Sequence, residues 1–133
     1  MKLLNKNFSI IIQARFNSSR FKGKILKKIN DHELLLIMLK RLNLFQDKIV
    51  INISQKNQKK LVEFCKMNNI RYFVGSDSNV LKRYYDCATF FKSKNIVRIP
   101  SDCPLIDVDI IKRGLKIFFK NKYDYVTNLC PPS

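Results

Sequence analysis

The sequence predicts a three-layer α/β fold built on a mostly parallel sheet. Short apolar runs alternate with amphipathic segments along all 133 residues. The first run, residues 8–14 (FSIIIQA), is too continuously apolar for a strand with one wet face, so it belongs in a sheet covered on both sides. Successive runs are separated by enough chain for a helical crossover, the connection that joins parallel strands right-handedly.

The elements follow in order. After the strand at 8–14, residues 31–43 (DHELLLIMLKRLN) are rich in helix formers, with Asn30 or Asp31 as cap. A second strand, KIVINI, covers 48–53. Ser54 is placed to cap a helix over 55–69, in which Leu61, Val62, Phe64 and Cys65 form an apolar face. RYFVG (71–75) is a third strand and leads through Gly75 and Ser76 into a helix from about Asp77 to Lys92. There Val80, Leu81, Tyr84, Tyr85, Ala88 and Phe91 recur at steps of three and four, so one side faces a core. NIVRI (95–99) is a fourth strand, ending at Pro100. A helix from about Val108 to Asn121 has Asp107 and Asp109 at its N-terminus, and YDYVTNL (123–129) is a fifth strand. The chain then stops at Pro131, Pro132 and Ser133 with no closing helix, so the domain is expected to be incomplete at its C-terminus.

Composition narrows the class. A chain of this length makes one domain, 1–133, and can bury roughly two thirds of its unfolded surface. Apolar residues make up 46% and charged residues 27%, and no run approaches the roughly 18 residues of a membrane span. The N-terminus shows no cleavable leader, so the expected location is the cytoplasm. Cys65, Cys87, Cys103 and Cys130 are widely spaced, without a C-x-x-C pair and with His32 as the lone histidine; they read as reduced thiols rather than metal ligands. His32 falls in the first turn of its helix and reads as surface.

The net charge of +16 is weak evidence by itself, because Lys, Asn, Ile and Phe are all abundant. Local charge is more telling. Arg15, Arg20, Lys22, Lys24, Lys27 and Lys28 fall within fourteen positions containing no acidic residue. This stretch begins at the carboxyl end of the first strand, where open parallel sheets bind ligands, and it suits an anion. It is not a P-loop: Gly23-Lys24 fits, but Ser18 stands at the first glycine and Ile25 at the hydroxyl residue. The dinucleotide fingerprint is excluded, since the chain has only Gly23, Gly75 and Gly114. What survives is a loop whose guanidinium forks, lysine, hydroxyls and backbone amides surround phosphate oxygens.

QARFNSSRFKGK (13–24) resembles the signature of the cytidylyltransferase family of sugar nucleotidyltransferases, which includes CMP-sialic acid and CMP-Kdo synthetases and the spore-coat polysaccharide protein F group. The matches are Gln13, Ala14, Arg15, Ser18, Arg20, Gly23 and Lys24. Two further stretches follow in the family's order, GSDSNVLKRYYDCA (75–88) and VRIPSDCPLID (97–107). Asn17, Lys22 and Ser101 depart from it, standing where the family has Gly, Pro and Gly.

The resemblance implies a Rossmann-like nucleotide-diphospho-sugar transferase fold, of which this chain is the N-terminal nucleotide-binding part. It also implies a reaction: CTP and a sugar or sugar acid give a CMP-sugar and pyrophosphate, in surface or spore-coat polysaccharide synthesis. Arg15, Lys24 and Asp102 are the catalytic residues it implies. Gln13, Ala14, Arg15, Ser18, Arg20, Gly23, Lys24 and Arg83 would bind nucleotide, and Asp102 would hold Mg2+. Arg83 stands beside the core-facing side of its helix, within reach of the site. No membrane or nucleic-acid partner is expected, and a homodimer is expected of the full-length form. Two other readings stay open: a non-catalytic basic module that binds nucleotides or nucleic acid, and an inactive truncated relative.

Overall fold

The computed structural model describes residues 3–15, 23–56, 58–121 and 123–128. Its centre is β1 (Ser9–Ala14), flanked by β4 (Ile49–Ser54) and β6 (Ile96–Pro100), with β5 (Tyr72–Gly75) outside β4. The order is β5-β4-β1-β6 and every pairing is parallel. In register, Ile12 sits between Ile51 and Ile99.

Alternation along the strands divides the core into two layers. Ile10, Ile12 and Ala14 of β1 and Ile49, Ile51 and Ile53 of β4 face one layer. There they meet Leu35 and Met38 of α1 (Leu34–Arg41), Leu61, Phe64 and Cys65 of α2 (Lys59–Met67), and Ile111 and Leu115 of α4 (Val108–Lys120). Ile11 and Val50 face the other layer, under Tyr84, Cys87 and Ala88 of α3 (Val80–Phe90). The continuous apolar run of β1 is thereby explained, because both of its faces are covered. The chain moves outward from β1 to β4 to β5 with its helices on one face, then crosses back by α3 on the other face to β6, as right-handed crossovers require.

Four local expectations are corrected. The helix expected from Asp31 begins at Leu34, with neither Asn30 nor Asp31 as its cap. Asn30 (φ 47°) and Asp31 (φ 65°) are instead the left-handed pair of a two-residue turn, joining β2 (Lys28–Ile29) to β3 (His32–Glu33) in a small antiparallel hairpin. His32 is accordingly in a strand rather than a helical turn, though it is exposed as expected. Ser54 does not cap α2: it is the last residue of β4, and α2 starts at Lys59. Residues 123–128 form no strand; Tyr123 and Tyr125 are exposed, and strand-forming residues hold that conformation only with a sheet partner to pack against.

Asp107 caps α4 as its position suggests, accepting from the Asp109 amide at 2.8 Å. Among the described residues no helix is long and apolar enough to cross a membrane. Cys65 and Cys87 are free and buried, Cys103 is free and exposed, and Cys130 lies outside the described residues. Burial pushes both the Cys65 and the Cys87 thiols up to about 12, leaving almost no thiolate at neutral pH. Iodoacetamide at pH 8 is therefore expected to label Cys103 in the native protein, with Cys65 and Cys87 protected until it unfolds. Peptide mapping that finds Cys65 labelled as fast as Cys103 would contradict this burial.

Candidate functional site

The strand order makes one place special. From β1 the chain runs outward to β4 and β5, whereas β6 lies on the other side of β1. The crevice at the carboxyl ends of β1 and β6 is therefore the topological switch point, where loops diverge and leave room for a ligand.

Arg15 leaves β1 on one side of this crevice and Asp102 leaves β6 on the other, both exposed. The two strands stay tied beyond their ends, because the Ser101 amide donates to the Gln13 carbonyl at 3.2 Å. Ser101 is itself buried, which fixes the backbone immediately before Asp102. Ala14 is fully buried in the core and contributes to the site only through its backbone.

Gly23 has φ 71° and opens a 3-10 turn over Lys24–Leu26, in which Ile25 is buried while Lys24 is exposed. That left-handed backbone suits glycine, and it lets Ile25 anchor the turn while the lysine stays outside. Neither Arg15 nor Lys24 forms an ion pair with a described residue. Ser18 and Arg20, and the departures Asn17 and Lys22, lie outside the described residues.

Behind the crevice, under α3, is a second polar group. Arg83 is fully buried, and its Nη1 donates to the Ser76 carbonyl. Its side chain can lie there because position 75 is glycine: a Cβ would come 2.8 Å from Phe73 Cε1 and 3.0 Å from Arg83 Cγ. Burial, and next the positive charge of Arg15, lower the Arg83 pKa, while Tyr84 and Asp77 act the other way. Ser54 donates to Asp77, joining the ends of β4 and α3's leading loop. Asn79 caps α3 by accepting from Lys82 at 2.8 Å, and Ser76 Oγ accepts from the Asn79 amide at 3.1 Å.

Tyr84 is buried and Tyr85 exposed, so one of the adjacent tyrosines packs on the sheet. Arg98 lies over the Tyr84 ring, 5.5 Å from its centroid, and its Nη2 donates to Gln13 Oε1 at 3.4 Å. Burial raises the Tyr84 pKa against the opposing charge of Arg98. Sequence reasoning singled out Gln13 and Arg83 but missed Asn52, Ser54 and Asp77. The available signal was a lone Asn inside the apolar run KIVINI, with Ser at its end.

No three His, Cys, Asp or Glu residues among the described ones gather into a protein-only metal site. Asp102 offers one solvent-facing carboxylate. That donor set fits magnesium, which takes one or two carboxylates, keeps waters and accepts substrate phosphate oxygens. The strand ends thus offer Arg15, without an ion pair among the described residues, the half-buried hydrogen-bonding amide of Gln13 and the carboxylate of Asp102, an arrangement that can bind a polyphosphate together with a hard cation.

The chain belongs to the cytidylyltransferase family, whose profile matches residues 9–132. A protein of Methanocaldococcus jannaschii described as uncharacterized is 38% identical over 120 residues, which are 88% of this chain and 49% of that one. The spore coat polysaccharide biosynthesis protein SpsF of Bacillus subtilis is 31% identical, over 92% of this chain and 54% of its own. Among solved structures, a cytidylyltransferase from Leptospira borgpetersenii superposes with a TM-score of 0.82 at 36% identity, covering 87% of this chain and 50% of that one. A CMP:2-keto-3-deoxy-manno-octonic acid synthetase complexed with CTP shares the fold, with a TM-score of 0.75 at 15% identity. The chain spans about half the length of the curated relatives it matches.

Proposed function

We propose that residues 1–133 form the nucleotide-binding part of a CTP-dependent nucleotidyltransferase that activates a sugar or sugar acid for surface polysaccharide synthesis in the cytoplasm. The observation that supports this reading is that Arg15 and Asp102 are both exposed just beyond the carboxyl ends of the neighbouring strands β1 and β6, with Lys24 exposed on the turn after Gly23. Among the described residues Arg15 and Lys24 have no ion-pair partner, and with the exposed carboxylate of Asp102 they suit a triphosphate bound with a divalent metal.

In this reading Arg15 and Lys24 hold the β- and γ-phosphates, with Ser18 and Arg20 in the roles the family signature implies. A sugar hydroxyl oxygen attacks the α-phosphorus and loses its proton, the bond to the bridging oxygen breaks, and pyrophosphate departs with the bond's electron pair. Arg15 and Lys24 offset the negative charge that builds on that leaving group. Positioning and charge stabilisation thus supply most of the catalysis. Asp102 would hold a magnesium ion, which would supply Lewis-acid charge neutralisation. Arg83, beneath the crevice and electrostatically linked to Arg15, adds buried positive charge under the nucleotide.

The test is a thermal melt with magnesium and each of the four nucleoside triphosphates in turn. CTP at about a hundred times its Kd stabilises by about 2.7 kcal/mol, which raises the Tm of a chain this size by roughly 8 °C. A melt that CTP leaves unchanged overturns the reading. A salt-sensitive response to oligonucleotides in its place would favour a nucleic-acid-binding module.

A further inference from the structure

Asn52 lies in the middle of β4, fully buried, and neither its Nδ2 nor its Oδ1 has a hydrogen-bond partner among the described residues. An unsatisfied amide is costly to bury, and every other residue from Ile49 to Ile53 is aliphatic, so an aliphatic side chain would suit the strand better. Its surroundings suggest why an amide is there. The in-register neighbour of Asn52 on β1 is Gln13, and strand alternation turns both toward the α3 side, one step above Ile11 and Val50.

Beyond Gln13 is Arg98 on β6, whose Nη2 donates to Gln13 Oε1 at 3.4 Å; an amide oxygen has two lone pairs and can accept a second donor. On the other flank, Arg83 lies over Gly75 with its Nε and Nη2 unpartnered among the described residues. Two adjacent amides therefore sit between two guanidinium groups, and a guanidinium can only donate.

Building on the CTP reading above, we propose that Asn52 is a positioning residue that fixes the orientation of the Gln13 amide and so helps determine which base the site accepts. The direction of the chain follows from the donor-only ends. In the proposed network the side chains of Arg83 and Asn52, unpartnered among the described residues, rotate so that Arg83 donates to Asn52 Oδ1 and Asn52 Nδ2 turns toward Gln13. Gln13 Oε1 then accepts from both Asn52 and Arg98, and Gln13 Nε2 is left as the group offered to the crevice. A donor facing ring position 3 of the base separates cytosine from uracil, although both rings carry an acceptor at O2. Cytosine presents acceptors at both N3 and O2, whereas N3 of uracil carries a hydrogen. Without Asn52 only the long 3.4 Å contact from Arg98 holds the Gln13 amide, so rotation by half a turn costs less and either atom can be presented.

Calorimetric titration with CTP and with UTP, each with magnesium, tests this on the wild type and on Asn52→Ala and Asn52→Asp. The wild type should prefer CTP, and Asn52→Ala should lose about tenfold of that preference, the worth of one oriented hydrogen bond. Asn52→Asp can no longer donate to Gln13 and should shift the preference toward UTP. An unchanged preference in a variant that melts like the wild type overturns the inference and leaves the CTP site standing; wild type that binds neither nucleotide overturns both. A nucleotide-free measurement guards against a variant that fails to fold. In the wild type, the Asn52 side-chain NH2 should exchange slowly with solvent in amide NMR, and rapid exchange overturns the inference.

Discussion

On the proposed CTP-dependent reading, Lys24→Ala is expected to lower pyrophosphate release about a hundredfold, the effect of removing one charge-stabilising donor from an anion site. Lys24 is exposed on a turn pinned by buried Ile25 and by the left-handed backbone of Gly23, so its ammonium is free to meet a ligand without disturbing the core. The variant should melt within about 0.5 kcal/mol of the wild type, as surface substitutions generally do. Loss of rate with stability preserved separates a role at the substrate from a role in the fold. Lys24→Arg should recover only part of the rate, because a planar fork cannot replace a compact point charge at the same place. Lys116→Ala removes an equally exposed charge from α4 and should have no effect. Full activity in Lys24→Ala, with Lys116→Ala as reference, would remove the assignment.

The sheet was legible because its strands are buried on both faces: FSIIIQA and KIVINI admit little else, and the structure has strands at Ser9–Ala14 and Ile49–Ser54. The crossover helices were legible from their apolar spacing, although their starts were not. Asn30-Asp31 reads equally as a helix cap or as a left-handed turn, and only the pairing of Lys28 with Glu33 decides between them. Ser54 could not be assigned locally either, since its partner Asp77 is distant in sequence and arrives with a different strand. The strand expected at 123–129 failed for the complementary reason, that β-propensity expresses a fit to a neighbouring strand and the described residues supply none there. Of the candidate site, Arg15 and Lys24 stand out in a basic stretch that begins at a strand's carboxyl end, whereas Asp102 is a candidate only through the family resemblance, since alone it reads as a turn residue. Asn52 was hidden because one polar residue inside an apolar run looks like noise until its register partner is known.

Ile12→Ala is expected to destabilise the domain by about 3 kcal/mol, within the range for deleting a buried aliphatic side chain from a well-packed core. Ile12 is fully buried on the central strand, in register with Ile51 on one side and Ile99 on the other, and all three belong to the larger apolar cluster. Neighbouring strands held by backbone hydrogen bonds cannot close the void left by three missing carbons, so a cavity adds to the lost transfer energy. Against a typical total of about 5–15 kcal/mol this is a large fraction, and the Tm should fall by roughly 10 °C. Leu105→Ala, at a residue 77% exposed, should shift the melt by less than about 0.5 kcal/mol, and an equal loss in both variants would contradict the core described here. The same variant tests how the site depends on the sheet. Gln13 follows Ile12 directly and Arg15 comes three residues after it, so a cavity at Ile12 should loosen the strand end that carries them and weaken CTP binding even well below the melting temperature. If CTP instead stabilises Ile12→Ala as much as it does the wild type, the position of Arg15 is held by the β1–β6 ladder through Gln13 and Ser101 rather than by packing beneath the strand.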